Sequence, residues 1–467
     1  MRYVSTRGQA PASGFAEVLL AGLAPDGGLY LPESWPVFSP AELRAMRALA
    51  YPELAARVIA PFAAGSFTEA ELAALLREAY AGFAHPAVCP LVQLETGLFV
   101  AELFHGPTLA FKDMAMQLLG PLFAATLARR GEHITIVGAT SGDTGSAAIE
   151  ACRDRPGIHL VMLHPKGRTS EVQRRQMTTV LAPNIVNLAV AGSFDDCQDL
   201  VKAMFADAPF RAEMALSAVN SINFARIAAQ IPYYVATALA LGAPDREVAF
   251  AVPTGNFGNV FAAWAAGRMG LPIVRLAVGS NRNDILTRFL AGKDMSVRAV
   301  EPSLSPSMDI QVSSNFERLL FESLGRDGDT TAAMMRDFRR SGRMTVPDAA
   351  WCDITRLFAG LALDDPATTA EIRALHAASG YVADPHSAIG IAAGRAHALP
   401  GVPMIAMGTA HPAKFPAAMR EALGFVPPLP PRLASLYEKE ERCRDVPADL
   451  AAVEAVVRST APATYAA

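Results

Sequence analysis

Cysteine is scarce in this chain: five residues, at positions 89, 152, 197, 352 and 443, with no CxxC pair and no zinc-like spacing. So odd and scattered a set excludes a disulfide framework and fits a reducing compartment. Charge is also sparse, at 18% of residues, and the signs nearly cancel, 41 basic against 45 acidic. Without a basic excess, no nucleic-acid partner is expected. No window reaches about eighteen uninterrupted apolar residues, so no membrane span is expected. The opening MRYVSTRGQAPASGF lacks the apolar core of a secretory signal, which points to a cytoplasmic protein. None of the nine histidines falls in HExxH or a comparable pattern, so no metal is expected. Cys197 and Cys352 read as buried thiols.

What is present is apolar: 51% of the chain, enough for more than one buried core. Residues 1 to about 95 read mainly as helices. FAEVLLAGL and AELRAMRALA carry apolar residues at helical spacing, with the turn-rich APDGGLYLPESWP between them. SFTEAELAALLREAYAGF opens with Ser66 and carries acids early, as a helix start does. From about 132, short apolar runs rich in β-branched residues appear: HITIVGAT, HLVMLHP, NIVNLAV, EVAFAVPTG, PIVRLAVGS and VPMIAMGTA. Most end in glycine or proline and lead into a helical stretch, the grammar of a mostly parallel sheet flanked by helices. Residues 281 to about 345 break this rhythm as an insertion. Its FERLLFE helix reads as core packing with acidic exposed positions. The division expected is a helical region 1–95, an α/β region 96–430 of two subdomains, and a tail 431–467 that begins with a proline cluster.

Ligands of open parallel sheets bind beyond the carboxyl ends of strands, and three such loops stand out. GATSGDTGSAA places Thr140, Ser141, Gly142, Asp143 and Thr144 between a strand and a helix. It can converge N–H groups and hydroxyls on an anion, or be a turn capped by Asp143 or Thr144. PTGNFGN, with Gly255, Asn256, Phe257, Gly258 and Asn259, precedes a helix in the order a phosphate site needs; it also reads as a tight turn. In GTAHPAKF, Thr409 follows an apolar strand, where its hydroxyl would meet a ring nitrogen or cap the next turn. Lys112, in HGPTLAFKDMAMQLLG, opens an otherwise apolar helical run. It is either a snorkelling lysine or a desolvated nucleophile. An aldehyde cofactor with a phosphate tail, such as pyridoxal phosphate, would use all of these features.

Taken with AVNSINFARI, SPSMDIQVSSNFERLLFE and DPHSAIG, in this order and spacing, these motifs resemble threonine synthases of the bacterial and fungal branch. The resemblance runs from YVSTRG to about residue 430. It implies a fold type II pyridoxal-phosphate enzyme, similar to the tryptophan synthase β family. Lys112 would carry the cofactor covalently, Gly255–Asn259 its phosphate, and Thr409 its pyridine nitrogen. Thr140, Ser141 and Thr144 would hold the substrate carboxylate. Asp143 would sit near the cofactor's 3′ oxygen, where many relatives carry Asn and where a charged acid would repel a phenolate. Asn220, Ser221, Asn223 and Arg226 would hold the substrate phosphate; without the resemblance, Arg226 reads first as a surface ion-pair residue on a helix. The reaction implied converts O-phospho-L-homoserine and water to L-threonine and phosphate, the last step of threonine biosynthesis. The assembly expected is a monomer or homodimer. The nearest rival is a threonine or serine dehydratase, which the NSINFAR and SPSMDIQ segments disfavour.

Overall fold

A computed structural model describes residues 1–218 and 220–462. The chain folds as two compact units, each assembled from separated stretches. One comprises Met1–Gly106 and Ser221–Pro427; the other comprises Pro107–Asn220 and the stretch that begins at Pro428. Among the described residues, no helix is long and apolar enough to cross a membrane.

The first unit holds a six-stranded sheet in the order Phe358–Ala362, Ile273–Ser280, Val248–Pro253, Met404–Gly408, Leu98–Glu102, Leu91–Glu95. Neighbours run parallel except the last two, which form a hairpin. Every residue of Val248–Pro253 is buried, as the continuous apolar run VAFAVP requires of a central strand. Helix Pro385–Ala396 packs on the sheet beside it, and Ile391, Ala251, Ala406 and Met404 share one apolar core. Three strands of this sheet are absent from the runs that the sequence marks as strands. Phe358–Ala362 is FAGLA, an edge strand with no β-branched residue; Leu91–Glu95 turns back after Thr96 and Gly97 into Leu98–Glu102.

The N-terminal stretch of this unit is helical, as expected, over Phe15–Ala21, Pro40–Met46, Tyr51–Ala63 and Glu69–Tyr80. Inside the turn-rich connection, however, Tyr30–Pro32 pairs antiparallel with Tyr3–Ser5. The helix expected from Ser66 is capped by Thr68 instead, because Thr68 and Glu71 close a reciprocal capping box. Residues 281 to 345 contain helices Ile285–Gly292, Phe316–Ser323 and Gly328–Ser341. Between the first two runs a long loop, gathered around Asp309. That carboxylate accepts from Asn281 at 2.7 Å, Asn283 at 3.1 Å and the Ser303 hydroxyl at 2.6 Å.

One acid of FERLLFE departs from expectation. Glu317 is 3% exposed. Its carboxylate accepts from Arg7 Nε at 3.1 Å and Nη2 at 3.0 Å, and from the Thr6 hydroxyl at 2.7 Å. A buried acid survives because a fork of donors faces it, and those donors come from the TRG of the N-terminus. Glu317→Ala leaves Arg7 buried and unpaired. It should lower the unfolding free energy by about 3 kcal/mol in chemical denaturation; a loss below about 1 kcal/mol would mean that water replaces the partner.

The second unit holds a five-stranded, wholly parallel sheet: Arg444–Pro447, Ile185–Ala191, Ile158–Pro165, Ile134–Ala139, Leu216–Ser217. Its core joins Val137, Val161 and Leu188 to Val446, Val453 and Val457. The tail therefore does more than extend: strand Arg444–Pro447 and helix Leu450–Thr460 complete this unit. Cys197 is buried here, but Cys352, in the first unit, is exposed on helix Asp348–Leu357.

Candidate active site

In the second unit, Asp113 folds the turn that presents Lys112. Its carboxylate accepts from Thr108 N at 2.8 Å and from the Thr108 hydroxyl at 2.7 Å. Lys112 is the first residue of helix Lys112–Arg130. It is 9% exposed, so the snorkelling reading fails. Its Nζ lies 3.5 Å from Asp143 Oδ2 and 5.1 Å from the Phe111 ring centroid. Helix Lys112–Arg130 and helix Asp143–Cys152 cross where Gly120 meets Ala151. A Cβ on Gly120 would sit 2.1 Å from the Ala151 carbonyl, so only glycine lets the two helices approach this closely. That crossing sets the reach of the lysine to the acid.

The loop before helix Asp143–Cys152 is capped by Gly142, not by Asp143 or Thr144. The Thr140 hydroxyl shapes it, accepting from the Gly142 and Gly145 amides at 2.9 Å each. Asp143 Oδ1 accepts from Gln173 Nε2 at 2.9 Å. With a lysine and an amide on its two oxygens, the buried acid has a cation to balance it. Ser141 and Thr144 are partly exposed beside it. Asn220 follows the short strand Leu216–Ser217, which pairs parallel with Ile134–Ala139. It therefore leaves the same sheet edge as Thr140.

In the first unit, Val248–Pro253 and Met404–Gly408 are parallel neighbours, with Ala251 opposite Ala406. The glycine loop and Thr409 consequently leave one edge together. Phe257 takes a left-handed conformation, φ 64°, at the N-cap of helix Gly258–Arg268. Its ring, packed on Phe316 and Phe358, offsets the cost of that backbone. A Cβ on Gly255 would lie 2.8 Å from the Ser307 carbonyl, so the loop must keep its bare backbone. Bare amides at the head of an eleven-residue helix suit a phosphate. Thr409 N donates to Ser387 Oγ at 2.9 Å, and Ser387 Oγ donates to Asp384. Asp384 also accepts from His386 Nδ1 at 2.8 Å.

Arg226 lies on helix Phe224–Ala240 and is 4% exposed. Its Nε and Nη1 have no hydrogen-bond partner among the described residues. Burial pulls its pKa down to about 10, with the Tyr233 phenol acting in the opposite sense, so it stays charged at neutral pH. Tyr233 and Tyr234 both donate to Asn259 Oδ1, whose Nδ2 is likewise buried without a partner among the described residues. The surface ion-pair reading of Arg226 is thereby excluded. Asn223 is committed elsewhere: it caps the helix at Ala225 N, 3.0 Å away, and donates to the Leu19 carbonyl at 2.8 Å. Ser221 is partly exposed; its carbonyl accepts from Asn315 Nδ2 at 3.2 Å.

Sequence reasoning passed over Asn315, Arg318, Asp384 and Ser387. Their motifs were visible, but Asn315 and Arg318 find partners far along the chain, at Asn256, Ser221, Ile222 and Tyr30, and Ser387 meets Thr409 twenty-two residues on, while Asp384 is held locally by His386 and Ser387.

A buried lysine beside an acid, a glycine loop opening a helix and a hydroxyl at a strand end define a pyridoxal-phosphate-dependent enzyme of fold type II. The family model for pyridoxal-phosphate dependent enzymes matches residues 85–403. The models for the threonine synthase N terminus and C-terminal region match residues 2–80 and 387–457. The threonine synthase of Pseudomonas aeruginosa is 55% identical over 459 residues, covering 98% of each chain. The crystal structure of pyridoxal-phosphate-bound threonine synthase from Brucella melitensis superposes with a TM-score of 0.98 at 50% identity, over 99% of this chain and 100% of that one. The yeast threonine synthase structure gives 0.93 at 37%, over 98% of each. The chain belongs to the threonine synthase family, and its cofactor is pyridoxal phosphate.

Proposed function

We propose that this chain converts O-phospho-L-homoserine and water to L-threonine and inorganic phosphate. The observation that carries the substrate is Arg226: a buried guanidinium with two nitrogens lacking partners among the described residues calls for an anion. Asn259 Nδ2 adds a neutral donor in the same unit. A phosphate on the substrate's side chain meets both needs; a plain hydroxy amino acid does not.

Bound pyridoxal phosphate supplies an electron sink for charge developing beside the substrate's amino group. The residues of the chain do the rest. Gly255–Asn259 would hold the cofactor phosphate on main-chain amides, leaving the Asn259 Nδ2 for the substrate. Thr409 would offer its hydroxyl to the ring nitrogen. The Lys112 amine, buried beside Asp143, would take the proton from the substrate's Cα and return it at the end. Asp143, 3.5 Å from the Lys112 amine, balances the lysine charge and would face the cofactor's 3′ oxygen. The loop Thr140, Ser141 and Thr144 receives the substrate carboxylate at the head of helix Asp143–Cys152. Asn220, Ser221 and Asn223 shape the turn that delivers Arg226, and Arg226 stabilises charge on the departing phosphate. The setting we propose is the cytoplasm, with the chain a monomer or homodimer that takes small molecules rather than nucleic acid.

The test is product analysis with O-phospho-L-homoserine as substrate and pyridoxal phosphate supplied. Phosphate and threonine should appear in equal amounts. Release of 2-oxobutanoate would assign the chain to dehydratase chemistry.

A further inference from the structure

The carbonyl sides of two turns in the first unit are held by one pair of buried residues. Asn315 and Arg318 are both 0% exposed. The Asn315 backbone N–H and Nδ2 donate to the Asn256 carbonyl of the glycine loop at 3.1 and 2.8 Å. The same Nδ2 lies 3.2 Å from the Ser221 carbonyl. Arg318 Nη2 donates to the Ile222 carbonyl at 2.5 Å, Nε donates to the Tyr30 carbonyl at 3.0 Å, and Nη1 donates to Asn315 Oδ1. Ser313 Oγ adds a bond of 2.7 Å to the Gly255 carbonyl. One fully buried guanidinium thus locks the amide that grips both turns.

The planar trans peptide turns these contacts into an aiming device. In such a unit the C=O and the next N–H point in opposite directions. Fixing the carbonyls of Gly255 and Asn256 against Ser313 and Asn315 sends the N–H groups of Asn256 and Phe257 the other way. Fixing the carbonyls of Ser221 and Ile222 does the same for the N–H groups of Ile222 and Asn223, immediately before the helix that carries Arg226. Neither Asn315 nor Arg318 needs to touch a ligand to decide where these donors point.

We propose that Asn315, locked by Arg318, is a positioning residue that sets the cofactor-phosphate loop and the substrate-phosphate turn together, so that one side chain governs how both phosphates are held. The inference rests on the functional reading above. It makes the SSNFER segment the common backing of two anion sites, and it ties that backing to the N-terminal region through the Tyr30 carbonyl.

Asn315→Asp tests it. The replacement keeps the shape and pairs with Arg318, but turns a donor into an acceptor facing two carbonyls. Phosphorus NMR of the holoenzyme should show the cofactor phosphate resonance displaced. The KM for O-phospho-L-homoserine should rise about tenfold, with kcat changed less than about threefold. Ser313→Ala, which touches only the glycine loop, should displace the cofactor resonance and leave KM unchanged. Glu317→Ala, a stability control outside both turns, should lower the melting temperature and move neither readout. An Asn315→Asp holoenzyme with wild-type resonance and KM would overturn the proposal. So would a Glu317→Ala protein that shows the same two changes, since packing alone would then produce them. If Asn315→Asp does not fold, Asn315→Ser, whose shorter side chain withdraws from both carbonyls, carries the same two readouts, and an unmoved resonance and KM in it refute the proposal. Failure of the wild type to release threonine and phosphate would instead strike the functional reading, and the phosphorus resonance would still report on the cofactor loop.

Discussion

Lys112→Ala should lose threonine formation by at least about 10³-fold and lose the absorbance band of the lysine-bound cofactor. The lysine is 9% exposed and its turn is pinned by Asp113, so its amine is held at one place. The substitution also removes the cation beside buried Asp143, so some loss of stability accompanies the loss of activity. Removing the ammonium frees a buried face and leaves Asp143 with Gln173 as a partner. A folded protein that still binds pyridoxal phosphate, without the band and without turnover, is the expected result. Residual activity within about tenfold of wild type would remove Lys112 from the chemistry. External small amines should restore part of the proton transfer, because the space vacated by the side chain is shaped for one.

Arg226→Met should cut kcat/KM for O-phospho-L-homoserine by roughly 10²- to 10³-fold. The same substitution should stabilise the ligand-free protein by about 1–4 kcal/mol, because a buried charge without hydrogen-bond partners on two of its nitrogens is replaced by an apolar chain of similar length. The two signs belong together. A surface arginine would show neither effect, and a structural arginine would show loss of both activity and stability. Inorganic phosphate supplies the second readout. It should raise the melting temperature of the wild type in a concentration-dependent way and leave Arg226→Met unmoved. Equal stabilisation of both proteins by phosphate would place the anion elsewhere.

The parts of the site that could be read in the sequence are those whose meaning is local. The glycine loop, Thr409 and the 140–144 loop each follow an apolar strand, and strand, loop and helix in that order announce an anion site. Lys112 was legible by contrast with its apolar neighbours. Arg226 was not: a basic residue on a helix reads the same whether its face is wet or dry, and only the packed structure shows it buried. Glu317 misled for the same reason, since its partner Arg7 lies 310 residues away. Arg318 bonds the Tyr30 carbonyl 288 residues away, beyond any periodicity. Edge strands were missed where their composition is that of a loop, as in FAGLA, or where a hairpin is short, as at Thr96 and Gly97. Contiguity was the other blind spot: nothing in the tail's composition signals that Arg444–Pro447 joins a sheet begun at Ile134.

The strand order of the six-stranded sheet also bears on how the chain is made. Met404–Gly408 lies between Val248–Pro253 and Leu98–Glu102, and it is the last of the six to leave the ribosome. Until it emerges, the hairpin Leu91–Glu102 and the sheet edge at Val248–Pro253 each present an unpaired row of backbone donors and acceptors, on apolar strands, to the surroundings. Such edges template pairing with other chains. A polypeptide that stalls or is cut before residue 404 therefore carries two open, sticky borders rather than a smaller working enzyme.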